Sequence, residues 1–131
     1  MKLPRKLVLD AGALIEVDRN PRGEVSHACN RAIKDGLPPL LPAVVWAQVY
    51  RNGSRQVHLV RLRNTCETIP FTDQTADEVG RLLAKSGGSD VVDAAVVLAA
   101  MACRGIVLTS DPHDLRRLAA ANGAHLRLIT V

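Results

Sequence analysis

Four aspartates stand where carboxylates can act together. Asp10 closes the apolar run Leu7-Val8-Leu9, and Asp111 follows a second run, Ile106-Val107-Leu108-Thr109. Short apolar runs of this kind, rich in branched residues, read as buried strands. Both acids therefore sit at the carboxyl ends of strands, the edge where open parallel sheets bind ligands. Asp90 and Asp93 lie three residues apart in Ser89-Asp90-Val91-Val92-Asp93-Ala94-Ala95, a spacing that puts both on one face of a helix's first turn. Beyond them the segment is apolar all round, as in a buried helix. Carboxylates at the mouth of such a helix are costly to desolvate and repel one another, and no lysine is placed to offset them. A hard divalent cation such as Mg²⁺ or Mn²⁺, bound through oxygen ligands, removes that repulsion. Two such ions about 4 Å apart would generate hydroxide from water and stabilise the leaving oxygen of an in-line displacement at a phosphodiester.

Each acid also has a structural use. Asp90 and Asp93 suit the positive end of a helix dipole. Asp111 suits a turn before Pro112, and a helix cap is the favoured reading of Asp114. Asp10, at a strand end, is the least explained by such roles, and the combination is more specific than any member.

The elements that must deliver these residues follow from the alternation of short apolar runs with longer amphipathic ones, the pattern of an α/β protein with helices on both faces of a parallel sheet. Strands are expected at Leu7 to Asp10, Leu40 to Pro42, Thr68 to Phe71, Ile106 to Thr109 and Leu126 to Thr130. Helices are expected at Ala11 to Asp18, Glu24 to Asp35, Ala43 to Arg51, Ser54 to Arg63, Thr72 to Lys85, Asp90 to Cys103 and Asp114 to Ala121. Pro38-Pro39 and Asn52-Gly53 punctuate the chain, and Gly87-Gly88 precedes a Ser89 able to cap the next helix. No linker or repeat divides residues 1–131, which read as one domain.

The length, 131 residues with 47% hydrophobic composition, suits one core. No apolar stretch approaches the roughly 20 residues of a membrane span, and the start lacks a signal-peptide core. Cys29, Cys66 and Cys103 are odd in number and widely spaced, which fits neither a disulfide framework nor a zinc knuckle and makes a reducing cytoplasm the simplest setting. The four histidines show no ligand spacing. A net charge of +4 gives a mild bias toward polyanionic partners, while 2% aromatic content argues against recognition of single strands by a row of stacking rings. Nucleic-acid contact, if made, is then electrostatic.

Leu9-Asp10-Ala11-Gly12-Ala13-Leu14-Ile15, Asp90-Val91-Val92-Asp93-Ala94-Ala95 and Leu108-Thr109-Ser110-Asp111-Pro112 resemble the acidic motifs of PIN-domain nucleases, especially actinobacterial VapC-type toxins. Their order and spacing span nearly the whole chain. The resemblance implies a three-layer α/β/α fold around a parallel sheet of four to five strands, with Asp10, Asp93 and Asp111 holding a catalytic metal, Mg²⁺ or Mn²⁺, and Asp90 nearby. It implies an endoribonuclease that leaves a 5′-phosphate and a 3′-hydroxyl, a VapB-like antitoxin whose C-terminal segment covers the acidic cleft, and a homodimer formed through helices. One residue departs from the pattern: the family usually carries a glutamate on the helix after the second strand, and Gln48 aligns there. Its neutral carbonyl can still position a metal or water, without the charge that strengthens binding.

On the substrate side, Arg51, Arg55 and His58 would share a face if one helix ran through Asn52-Gly53, and Arg61 and Arg63 add charge nearby. Competing classes fare less well. A receiver-like signalling domain needs a phosphoacceptor aspartate ending the third strand, where Ile69-Pro70-Phe71-Thr72 stands. A phosphatase of the haloacid dehalogenase type needs an aspartate where Gly12 stands, and no G-x-G-x-x-G follows the first strand. A PIN-like binding or scaffold module, its catalysis lost through Gln48, is the rival left open.

Overall fold

The computed structural model describes residues 5–131. Its elements run β1 (Leu7–Leu9), α1 (Ala11–Arg19), α2 (Glu24–Lys34), β2 (Leu40–Pro42), α3 (Ala43–Val49), a 3₁₀ turn (Ser54–Gln56), α4 (Val57–Thr65), β3 (Glu67–Ile69), α5 (Asp73–Ser86), α6 (Val91–Cys103), β4 (Ile106–Thr109), α7 (Pro112–Ala121) and β5 (Arg127–Thr130). All five strands pair in parallel, in the order β3-β2-β1-β4-β5. The chain builds outward from β1 to β2 and β3, then returns to the other side of β1 for β4 and β5. The gap between β1 and β4 is thus the topological switch point, where open α/β sheets place their ligands.

Helices α2, α3 and α4 pack against α1, and α5, α6 and α7 pack on one another, with α1 against β1 and β4, and α6 against β1, β2 and β4. The result is a three-layer α/β/α sandwich. Val8, Leu9, Leu41 and Val107 are fully buried in the central strands, and Leu14, Val45, Leu59, Val96, Val97 and Leu115 close on them from the helices. Leu82, Leu115 and Leu118 are core rather than interface. No single helix among the described residues is long and apolar enough to cross a membrane.

Several expected boundaries move for identifiable reasons. The helix expected to reach Arg51 ends at Val49, because Tyr50 turns extended and Asn52 adopts a left-handed φ of 55°. The helix expected from Ser54 starts as a 3₁₀ turn and becomes α-helical only at Val57. The third strand begins at Glu67, one residue early, and stops at Ile69 before Pro70, which cannot donate to a ladder. The last helix starts at Pro112, not Asp114: proline's fixed φ suits a first helical turn. Helix α6 is buried along Ala94, Ala95, Val96, Val97 and Ala100, but Val91 in its first turn is 44% exposed, so it is not enclosed on every side.

The β1–β4 contact depends on Gly105. A Cβ there would lie 2.6 Å from the carbonyl oxygen of Lys6, the same oxygen that accepts from the Ile106 amide at 2.9 Å. Gly105→Ala is expected to destabilise the protein by about 1–3 kcal/mol through overpacking. Gly80, in exposed mid-α5 with open space about it, should respond oppositely, gaining about 0.5–1 kcal/mol as alanine. Denaturant titration of the two variants checks both signs.

Candidate metal centre

Asp10 leaves the end of β1 as the N-cap of α1, and its two carboxylate oxygens are separately held. Oδ1 accepts from the Ala11 amide at 2.7 Å, and Oδ2 accepts from the Thr109 hydroxyl at 2.7 Å. The side chain is buried, and no cation pairs with it among the described residues. Capping, which the sequence favoured less for this residue, is one of its roles. Thr109 is fully buried, and its hydroxyl also accepts from the Asp111 amide at 2.9 Å. One hydroxyl therefore fixes an acid from β1 and the backbone of an acid beyond β4. The pairing of Leu9 with Leu108 brings the two strand ends level.

Asp90 is the N-cap of α6, its Oδ1 accepting from the Asp93 amide at 3.0 Å. Its dipole-complementing role is thus present, and its side chain is exposed. Asp93, one turn in, is half-buried. Desolvation, then the charges of Asp90, Asp10, Asp111 and Asp114, push its carboxyl up to about 7. Asp111, N-cap of α7 without a side-chain cap bond, is also raised, by desolvation and then by its hydrogen bond with Asp114 and that group's charge. Asp114 is lowered, chiefly by Arg117, whose Nη2 donates to its Oδ1 at 2.7 Å.

Carboxylate oxygens of Asp93, Asp111 and Asp114 lie within 4.8 Å of one another. Asp114 is therefore not the cap the sequence suggested. Helix α7 begins two residues before it, so Asp114 falls in the first turn and turns back toward Asp111. The signal was available in the spacing: Asp111 and Asp114 stand three apart across Pro112, as Asp90 and Asp93 do across Val91. Thr109 was missed as well, because a threonine ending an apolar strand looks like filling. All these donors are hard oxygens, and they burden one another with like charge, so they fit Mg²⁺ or Mn²⁺. A cleft of ≈250 Å³ opens beside Asp90, Asp93 and Asp114, bordered by Gly87, Gly88, Arg117 and Leu118. Gly12 lets α1 come close: a Cβ there would stand 2.8 Å from the Ser110 amide nitrogen.

Asp10 and Asp90, expected as metal ligands, act on Asp93 through their charges but are not members of this group of three. Gln48 is exposed near the end of α3. Arg51 folds back on the end of α3, Nη1 donating to the carbonyls of Ala47 at 3.0 Å and Tyr50 at 2.7 Å. Arg55 is exposed in the 3₁₀ turn, and the break at residues 50–53 removes the face it was to share with Arg51 and His58. Arg63 lies over the Trp46 ring, 5.1 Å from its centroid, and Trp46 stacks on Tyr50. Cys29, Cys66 and Cys103 are free. Burial raises the Cys29 thiol to about 11 and, with the nearby Cys29 charge adding to it, the Cys66 thiol to about 12.

No protein-family model and no curated protein sequence matches the chain. Solved structures do. VapBC2 from Rickettsia felis, bound to a DNA fragment from its promoter, is similar with a TM-score of 0.70 at 13% identity over 95% of this chain and 98% of that one. DNA-bound VapBC from Salmonella typhimurium gives 0.69 at 14%, over 97% and 98% of the chains. FitAB bound to the IR36 DNA fragment gives 0.61 at 15%, over 95% and 94%. The fold is one shared with chains of the VapBC and FitAB assemblies. The resemblance read from the acidic motifs holds at this level.

Two consequences can be measured. Thr109→Val, nearly the same shape, strands the Asp10 carboxylate and the Asp111 amide. It should cost about 1–3 kcal/mol, seen as a lower denaturation midpoint and, in crystals of the variant, a displaced Asp10 side chain. For Asp93, a folded-state pKa above the unfolded value means the native state holds the extra proton between about pH 4 and 7. Metal-free stability thus falls as pH rises through that window. Asp93→Asn removes the burden. Allowing for its half-exposure, the gain at pH 8 is on the order of 1 kcal/mol, or about 3–5 °C in Tm, and it vanishes at pH 4. Thermal melts in chelator at both pH values test this.

Proposed function

We propose that this chain is a metal-dependent endoribonuclease acting as the toxin of a VapBC-like toxin–antitoxin pair, with residues 1–131 forming one nuclease domain. The observation that carries it is the convergence of the Asp93, Asp111 and Asp114 carboxylates within 4.8 Å at the switch point of a sheet whose solved relatives are VapBC and FitAB assemblies.

In this reading Asp10, Asp93 and Asp111 hold Mg²⁺ or Mn²⁺, Asp90 supports them, and Asp114 joins the set. A divalent cation bound there supplies activated water and charge neutralisation for hydrolysis of a phosphodiester. The protein's own contribution is placement. Thr109 fixes Asp10 against Asp111, Arg117 keeps Asp114 ionised, and Asp90 holds the first turn of α6 so that Asp93 faces the other acids. Gln48 offers a neutral oxygen for water or metal from α3. Arg51 and Arg55 are left as outer contacts for RNA at most, since neither stands in the acidic group. A VapB-like antitoxin, a homodimer and a cytoplasmic setting belong to the same reading. The antitoxin is supported by the neighbours, which are VapBC assemblies.

The test is cleavage of a panel of structured RNAs by antitoxin-free protein in Mg²⁺, Mn²⁺ or chelator, beside Asp93→Asn and Asp111→Asn. Cleavage should require metal, and each variant should lose on the order of 10²–10³ in rate, the cost of removing one charge-stabilising group at a reacting centre. Folded protein that cleaves nothing with either metal would replace this reading with a PIN-like binding module disabled at Gln48.

A further inference from the structure

The sheet has a second edge, opposite the acids, and its charge is reversed. Where β1, β4 and β5 begin, a depression of ≈340 Å³ is lined by Arg5, Arg104, His125 and Arg127, with Met101 and Leu126 as apolar floor. It runs on, through Ala124, His125 and Leu126, into one of ≈420 Å³ flanked by Arg116. Among the described residues no carboxylate lines either space. Glu67, at the start of β3, pairs with Lys6 at 3.1 Å. None of Arg5, Arg104, Arg116 or Arg127 has a carboxylate partner among the described residues.

The Arg5 side chain is exposed and bonds back to the chain at one point. Its Nη1 donates to the Arg104 carbonyl at 2.9 Å, where α6 ends in a left-handed residue of φ 52°. That bond satisfies the C-terminus of α6 and holds one guanidinium beside the residue that carries another. It leaves most of each fork's donors unspent. Planar, always-charged forks grouped without acids match phosphate oxygens.

We infer that this edge is a second anion-binding site, one that takes the phosphodiester backbone of a nucleic-acid strand remote from the acidic centre. The two sites cap opposite ends of α6, whose 13 residues span about 20 Å. A strand reaching both needs about six nucleotides at a stacked spacing of about 3.4 Å. The site does not depend on the nuclease reading, since it binds without metal and without cleavage.

The experiment is fluorescence anisotropy in chelator, with a labelled 20-nucleotide RNA, the same sequence as DNA, and a 4-nucleotide RNA. Wild type is compared with Arg104→Gln/Arg127→Gln across a salt series, with folding checked by thermal melts. Two lost phosphate contacts should reduce the slope of log affinity against log salt by about 1.4 for a single strand, with affinity falling several-fold for the 20-mers and also for the 4-mer, which is too short to reach beyond this edge. Asp93→Asn/Arg104→Gln/Arg127→Gln, compared with Asp93→Asn alone, should show the same loss. A loss confined to RNA identifies the ribose strand as the occupant, and a loss shared with DNA identifies the backbone phosphates alone. Unchanged affinity and slope in the double variant, or no binding by wild type at low salt, overturns the inference, whether or not the protein cleaves RNA.

Discussion

Like-charge repulsion at one end of a short parallel sheet is the constraint around which the rest of the molecule is arranged. Asp10, Asp90, Asp93, Asp111 and Asp114 act on one another closely enough that Asp93 is held near neutrality's edge, at about 7. An arrangement of that kind costs folding free energy, and the protein offsets it with rigid supports. A fully buried hydroxyl ties Asp10 to the Asp111 backbone, an N-cap bond anchors Asp90 to the Asp93 amide, and an ion pair restrains Asp114. The apolar core below is dense with small branched residues, which brings β1 and β4 together with little freedom to relax the acids apart. Strain concentrated at a functional centre and sustained by its surroundings is the general pattern of sites prepared for a ligand.

Much of this was legible in the sequence because it rests on local patterns. Strands at Leu40–Pro42 and Ile106–Thr109 follow from apolar runs between turn signals, and α5 and α6 follow from amphipathic or wholly apolar stretches with clear caps. The placement of Asp10 and Asp111 at strand ends is a one-dimensional fact that the parallel sheet turns into proximity. What was not legible depends on rotation and on long-range bonding. The role of Asp114 turns on where α7 starts, and a shift of two residues rotates a side chain by about 200° about a helix axis. Thr109 owes its importance to a hydroxyl partner 99 positions away. The arginines at residues 51 and 55 were joined by a helical period that Asn52, in the left-handed region, interrupts.

The charge layout gives the molecule a polarity that composition alone conceals. A net charge of +4 describes a mildly basic protein, yet five aspartates gather at the carboxyl edge of the sheet and Arg5, Arg104 and Arg127 at its amino edge, the two groups joined by α6. Such a separation orients an approaching polyanion before contact, and keeps the cationic surface apart from carboxylates that would otherwise neutralise it.

The order in which the strands pair has a consequence for synthesis. β1 lies in the middle of the sheet, but one of its flanks is filled only by β4, which follows it by almost a hundred residues. Until Ile106–Thr109 has left the ribosome, Asp10 has no Thr109 to hold it, and neither Asp111 nor Asp114 exists as a neighbour. The centre therefore cannot form on a nascent chain that has exposed only its first three strands. If the assembled centre is destructive to RNA, the ribosome making it is shielded by topology through most of translation, since loop closure between distant segments must precede the chemistry.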